Sequence, residues 1–397
     1  MRPVASPPVF VALAVALSAV ACSEATPPVA PSPLAAPDVA LTCASSARTD
    51  AAFDVDPAGP DGQIHAYAVR AGEGMFVVYN RPSASGKGNF EVYVTRLSCA
   101  GDVLVPPTKV SDSADNEIDP AAAWDGQRLL VVWSADTGKA PANLELRARA
   151  LGLDGKAEGP VRTLSLSRAG RPHSGNVWMP ALGAGQAGPW LAGAWGHDAA
   201  PAFQVFAQRL DASGAPSGEA MDLALNAAVT QSAPSVAVDA SGRRWVAWAE
   251  EPNAGAAAPS AWVAAEGSRG EEVIAGGGAP SLASGASGTW LAARGAVLEL
   301  GARQRATLPA NLSQPALAVD AAGAVVVAYT GAAGRVPLAV VRVTSGGAVS
   351  APAELGVADA APYPLHLEPV ADGLFLLAFQ VGAGSKIRAK ARLLRVE

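Results

Sequence analysis

The chain has 397 residues, 50% of them hydrophobic and 16% charged, which is enough apolar material for a large core and too little charge for a disordered polymer. Its 29 Lys and Arg against 35 Asp and Glu leave a formal charge of −6. That balance offers no basic field to neutralise a phosphate backbone, so nucleic acid is not expected as a partner.

At the N-terminus Arg2 precedes an uncharged apolar run over residues 9–20, which closes on the small residues Ser18, Ala19, Val20 and Ala21 before Cys22. A basic start, a short apolar stretch and a small-residue cleavage site make a secretory signal over residues 1–21, and the run is too short to span a bilayer. With Cys22 directly after Val20-Ala21, the site resembles the lipobox of bacterial lipoproteins, although Ala19 stands where Leu is usual. The resemblance implies that Cys22 takes a diacylglyceryl group and becomes the new N-terminus, a membrane anchor outside the folded part. An ordinary signal peptide cut near Ala21 is the other reading of the same residues. Ser23 follows the Cys, in place of the Asp that marks inner-membrane retention in enteric lipoproteins. The expected location is therefore an exported, lipid-anchored one at the outer membrane or cell surface. Residues 22–37 hold five Pro among small residues, the composition of an extended tether.

The remainder, 38–397, repeats. A strand often opening on Pro leads through a Gly turn into an apolar strand that ends in an aromatic: Pro120 to Trp133, Pro180 to Trp195, Pro234 to Trp248 and Pro315 to Tyr329, with degenerate copies at 65–79, 280–293 and 365–379. Each unit continues with a polar loop, an alternating strand such as Leu144-Glu145-Leu146-Arg147, a Gly turn and a last strand. Period-2 alternation dominates and no capped 3.6-residue stripe is sustained. Residues 65–397 shared among seven units give about 48 each, the size of a four-stranded propeller blade. The units fall approximately at 65–119, 120–179, 180–233, 234–279, 280–314, 315–364 and 365–397. The last holds three strands, so residues 39–54 are expected to supply the fourth and close the ring.

The fold class expected is thus all-β, a seven-bladed β-propeller of four-stranded blades, with six to eight blades compatible with the arithmetic. These units are similar to the secreted β-propeller repeats of bacterial surface proteins, in which a Pro-x-Val-Ala-x-Asp-Gly strand leads into an aliphatic strand ending in Trp. Such repeats specify fold and leave function open.

Chemistry is sparse. In an exported chain Cys43 and Cys99 are expected to pair, stapling the ring closure. His65, His173, His197 and His366 lie in different units without metal-site spacing. Two acidic runs, Asp54/Asp56/Asp61 and Asp112/Asp115/Glu117/Asp119, offer oxygens to calcium, but neither matches an EF-hand; exposed acidic loops are the simpler account, and no cofactor is called for. The segment from Asp239 to Trp245 approaches the sialidase Asp-box with one residue too many. No nucleophile elbow or phosphate loop occurs, and no catalytic residue is assigned. Of nine Trp, Trp133, Trp195 and Trp248 are expected between blades. Trp124, Trp178, Trp190, Trp245, Trp262 and Trp290 are less regular, and some are candidates for a sugar platform.

Four loops after the aromatic-ending strands are long, at 80–89, 134–143, 196–203 and 249–260, and should share one rim. Their candidate binding residues are Arg81, Lys87, Asp136, His197, Asp198, Glu250, Glu251 and Asn253, with Lys139 beside them. The sequence reading is an exported, lipid-anchored propeller that binds or scaffolds at the cell envelope, its partner a glycan or an envelope protein. The alternative is a glycan-active, sialidase-like hydrolase with a dispersed site on one rim.

Overall fold

The computed structural model describes Thr49 and residues 51–396, apart from 86–87, 140–142, 169–170, 173–175, 185–187, 197–202, 212, 224–228, 252–257, 310–311, 313–314, 331–337, 345 and 358–364. The signal, Cys22, the tether, residues 39–45 and Cys43 lie outside the described residues, as do Lys87, His173, His197, Asp198 and Asn253.

Seven four-stranded antiparallel sheets follow one another along the chain. Blade 1 comprises Ile64–Ala71, Gly74–Pro82, Phe90–Leu97 and Val103–Lys109; blade 2, Asn116–Trp124, Leu129–Asp136, Leu144–Leu151 and Arg162–Thr163. Blade 3 comprises Val177–Gly183, Trp190–Gly196, Phe203–Leu210 and Pro216–Asp222; blade 4, Thr230–Val238, Arg244–Glu251, Ser260–Ala265 and Glu271–Ile274. Blade 5 runs from Ser281–Gly285 to Arg305–Thr307, and blade 6 from Ala316–Val319 to Ala353–Glu354. Blade 7 has His366–Ala371, Leu374–Val381 and Arg388–Arg395, with Phe53–Asp54 as its fourth strand. A two-stranded ribbon, Ser167–Arg168 with Arg171–Pro172, joins blades 2 and 3. The architecture is an all-β, seven-bladed propeller.

Packing explains the pattern in the sequence. The second strand of a blade is covered on both faces, so its apolar residues run without interruption. In blade 2 Leu129, Val131 and Trp133 face blade 1, while Leu130 and Val132 face blade 3. Seven apolar clusters fill the seven junctions between blades. Trp133, Trp195 and Trp248 are buried in three of them, and Tyr79, Tyr329 and Phe379 end the corresponding strands in others.

Polar side chains also stitch the junctions. At the start of the first strand in blades 2, 3 and 4, Asn116, Asn176 and Gln231 accept N–H bonds from Phe90, Leu144 and Val205 of the preceding blade. Because Ile64 pairs with Asn80, Asn116 with Asp136 and Thr230 with Glu251, these strand starts share a face with the loops after the second strands. This face is termed upper; the turns between first and second and between third and fourth strands form the lower one.

The last junction is closed by a clasp. Phe53 pairs with Ala391 and Asp54 with Lys390, whose Nζ lies 2.7 Å from the Asp54 carboxylate. The Arg388 guanidinium donates to Gly59 O and Asp56 O, both at 2.7 Å, and the amides of Gly62 and Gln63 donate to Ile387 O. A two-residue strand alone is a weak lock, so the guanidinium between two loop carbonyls supplies much of the closure. Hydrogen bonds to charged groups contribute roughly 1.5–3 kcal/mol each. Arg388→Ala is therefore expected to lower stability by about 2–4 kcal/mol, read as a fall in the urea midpoint. Removal of the 73% exposed Arg303, paired with Glu271, should cost less than about 1 kcal/mol; equal losses would mean that the clasp does not close the ring.

Candidate functional site

The first strand of each blade is innermost and leaves one edge toward the central channel. An unpaired strand edge must find partners for its N–H groups, and side chains of the preceding blade provide them. Ser235 Oγ accepts from Leu282 N at 3.0 Å, and Ser281 Oγ from Leu317 N at 3.1 Å. Where the ring closes, from blade 7 to blade 1, larger groups take the same role: His366 Nδ1 accepts from Ala68 N and Glu368 Oε1 from Arg70 N, both at 3.3 Å.

The channel holds a cavity of about 400 Å³ lined by the first strands of all seven blades. Most of its wall is Ala, Pro, Ser, Leu and Val; the chemistry is confined to one side, where His65 and Tyr67 of blade 1, Asp119 of blade 2 and His366 and Glu368 of blade 7 line it. His65, Asp119, Met179 and Ala233 occupy equivalent places in blades 1 to 4, each with φ near +50° at a bulge in the first strand. Left-handed backbone at a non-Gly residue costs on the order of 1–3 kcal/mol. Here it turns one residue per blade into the upper end of the cavity.

Two of these residues form a pair. His65 Nδ1 lies 3.0 Å from Asp119 Oδ1 and 3.1 Å from Asn80 Oδ1. Asn80 is fixed in that orientation because its Nδ2 donates to Glu117 O at 2.8 Å. The Asp119 amide also points at Nδ1, at 3.3 Å, so this ring nitrogen is met by two oxygens and one N–H. Gln380 of blade 7 accepts from the His65 backbone N at 3.1 Å, so three blades hold this one residue.

Below it Tyr67 stacks on His366, ring centroids 3.6 Å apart, and its hydroxyl donates to Leu182 O across the channel at 3.4 Å. Burial, and secondarily the Glu368 charge, pushes the Tyr67 phenol above its ordinary value. His366 accepts at Nδ1, and burial holds its pKa down at about 3, a neutral ring. Burial raises the Glu368 carboxyl to about 7, against the lowering pull of the Arg70 amide and charge.

Of the rim residues singled out from sequence, the described Arg81, Asp136, Glu250 and Glu251 sit on the same upper face but are engaged with their surroundings. Arg81 lies 3.4 Å from Asp56 Oδ2 and over the Tyr93 ring. Asp136 accepts from Gly138 N and Asn143 Nδ2. Glu250 accepts from Gln231 Nε2, and Glu251 from Ser232 Oγ. The acidic runs are likewise matched by cations: Asp61 by Arg388, and Asp115 and Glu117 by Arg147. Among the described residues no group of three metal-ligating side chains assembles. No Trp lines the cavity, and Trp124, Trp178 and Trp245 are half-buried outside it. Trp190 and Trp290 are buried in the junctions, and Trp262 packs against Trp248. Sequence reasoning overlooked Tyr67 and Glu368 and left His366 as one dispersed histidine. The available signal was the departure of units 1 and 7 from the small residues that other units carry at the same places.

No protein-family model matches the chain, and no curated protein does. Solved structures match its fold. A protein of unknown function from Dyadobacter fermentans is 11% identical with a TM-score of 0.58, covering 89% of this chain and 100% of its own. The alpha-L-arabinofuranosidase of Fusarium graminearum in complex with arabinobiose is 13% identical at 0.57, covering 88% and 98%. The alpha-L-arabinanase of Penicillium chrysogenum complexed with arabinobiose is 12% identical at 0.56, again over 88% and 98%. Identities this low carry the likeness of fold alone.

The Glu368 carboxyl gives the site a pH signature. Its ordinary value is 4.5, so between pH 4.5 and about 7 the folded protein keeps a proton that the unfolded chain releases. The stabilisation is complete below pH 4.5 and is lost as the pH rises through 7. Glu368→Gln, which keeps an acceptor for Arg70 N, removes this dependence. Relative to the variant, the natural protein should lose about 3 kcal/mol from pH 4.5 to 8 in urea titrations; parallel profiles would contradict the assignment.

Proposed function

We propose that the protein is an exported, lipid-anchored binding propeller of the bacterial envelope that takes a sugar-sized polar ligand at the upper end of its channel. One observation carries the reading: His65, Asp119, Tyr67, His366 and Glu368 converge on one side of an otherwise apolar and hydroxyl-lined cavity of about 400 Å³. That volume lies in the range of small-molecule sites, where a few placed polar groups orient the ligand. The likeness of fold to two proteins solved with arabinobiose supports a glycan as the ligand class. Neither Arg nor Lys is among the described lining residues, so the site suits a neutral sugar better than an acidic one. Export is supported by Cys99, which is disulfide-bonded. With Cys43 as the partner expected from the sequence, Cys22 is left to the acyl chains.

A second reading, a glycan hydrolase, is favoured by two carboxyl groups, Asp119 and Glu368, in one cavity, with Glu368 near the operating pH of a general acid. Binding takes precedence because bonds to the wall hold these groups in fixed orientations, as placing a ligand requires: His366 and Glu368 each accept an inner-strand amide, and the Tyr67 hydroxyl donates across the channel.

Calorimetry of the protein against neutral mono- and disaccharides, arabinobiose included, tests the proposal. A ligand should bind with an affinity that Asp119→Asn lowers at least tenfold and that Glu251→Ala leaves unchanged. Binding insensitive to Asp119 would remove the channel as its site. Release of reducing ends from an oligosaccharide, abolished in Glu368→Gln, would replace the binding reading by the hydrolase.

A further inference from the structure

The exposed large apolar side chains of the described residues are three, Val103, Leu104 and Leu153, at 46, 48 and 38% exposure. They gather in one place. Val103 and Leu104 open the fourth strand of blade 1, and Leu153 lies in the turn after the third strand of blade 2. Both flank the turn between the first two strands of blade 1: a Cβ at Gly74 would lie 3.2 Å from Leu104 Cδ1, and one at Gly72 3.6 Å from Leu153 Cδ2. Arg96 packs among them, donating to Leu153 O and Ala71 O. All these turns belong to the lower face, opposite the His65–Asp119 end of the channel.

The chain enters the propeller from that same face. Blade 7's third strand runs from Arg388, beside the upper loop, to Arg395 below, and Phe53–Asp54 pairs with it antiparallel. The segment preceding Phe53 therefore arrives from beneath. Phe53 packs on the turn after the third strand of blade 1, where a Cβ at Gly101 would meet its ring at 2.8 Å. Cys99, in that turn and four residues before Val103, is disulfide-bonded. The described chain thus enters the propeller, through the pairing of Phe53 and Asp54, beside the apolar trio.

We infer that Val103, Leu104 and Leu153 enter the lipid interface to which the N-terminal anchor tethers the chain, so that the propeller rides lower face down with its channel mouth away from the membrane. The inference rests on the lipid-anchor reading of Cys22 for its occupant. Three apolar side chains around one guanidinium are a weak membrane element alone, since apolar stems below a charged head suit an interface and not the bilayer core. Tethering changes this: a linked surface meets its partner at an effective concentration on the order of millimolar, at which a weak contact suffices to set orientation.

The test uses the full chain, purified from bacterial membranes and reconstituted in phosphatidylethanolamine–phosphatidylglycerol vesicles that carry a diazirine on an acyl chain. Photolabelled peptides are mapped by mass spectrometry. Adducts are expected in 98–109 and 150–156 and not in 134–139 or 244–251. The double variant Leu104→Asp, Leu153→Asp should lose at least fivefold of the labelling at those two segments. Adducts on the upper loops, or on the N-terminal peptide with none on the propeller, would overturn the inference. The mass of the Cys22 peptide reports the anchor separately. An unacylated Cys22 with the patch still labelled removes the anchor and keeps the membrane-facing surface; an unacylated Cys22 with no label overturns both.

Discussion

An inner strand edge with no strand beside it is the constraint on which the rest of this propeller depends. Seven such edges surround the channel, and each exposes backbone donors that water in a narrow bore serves poorly. Ser235 and Ser281 answer this with hydroxyls small enough to leave the bore open. Between blades 7 and 1 an imidazole and a carboxyl do the same work, and the bore gains a chemically distinct side. The wall and the candidate site are therefore one construction.

That construction sits at the junction where the ring must close. The first and last parts of the chain meet there, and the closing strand is two residues long. Closure draws on Arg388, Gln63 and Ile387 instead, polar groups that seal the upper part of the seam close to His65 and Gln380. Stability of the seam and shape of the site are coupled in consequence. A loosened clasp would shift Gln380 and with it the imidazole that Asp119 and Asn80 hold, so the left-handed backbone at His65 and Asp119 is sustained by the closure of the whole ring.

How much of this was legible in the sequence follows from periodicity. The aromatic-ending strands were legible because each is covered on both faces, so that runs such as Leu129 to Trp133 repeat with the blade. The first-strand prolines were legible too, and they line the channel in blades 2 to 6. Tyr67, His366 and Glu368 were not, because a residue facing the channel has no partner at a fixed sequence spacing and units 1 and 7 are the degenerate ones. The pairing of His65 with Asp119 spans 54 residues and two blades, and only closure of the ring makes it. The long upper loops lie on the face where His65 and Asp119 end the channel, yet Arg81 and Asp136 there serve their own local structure. The expected closing segment, 39–54, contains the strand Phe53–Asp54, whose brevity reflects a division of labour with the clasp that no repeat pattern records.

The proposed seat of the ligand is the channel and not the loops around it. The most direct measurement is a crystal structure of the protein soaked with the tightest-binding saccharide. Ligand density in the channel, within hydrogen-bond distance of Asp119 or Glu368 and with the ring clasp intact, is the result predicted. A saccharide seated on the outer loops or on the blade surfaces, with only water in the channel, would contradict it.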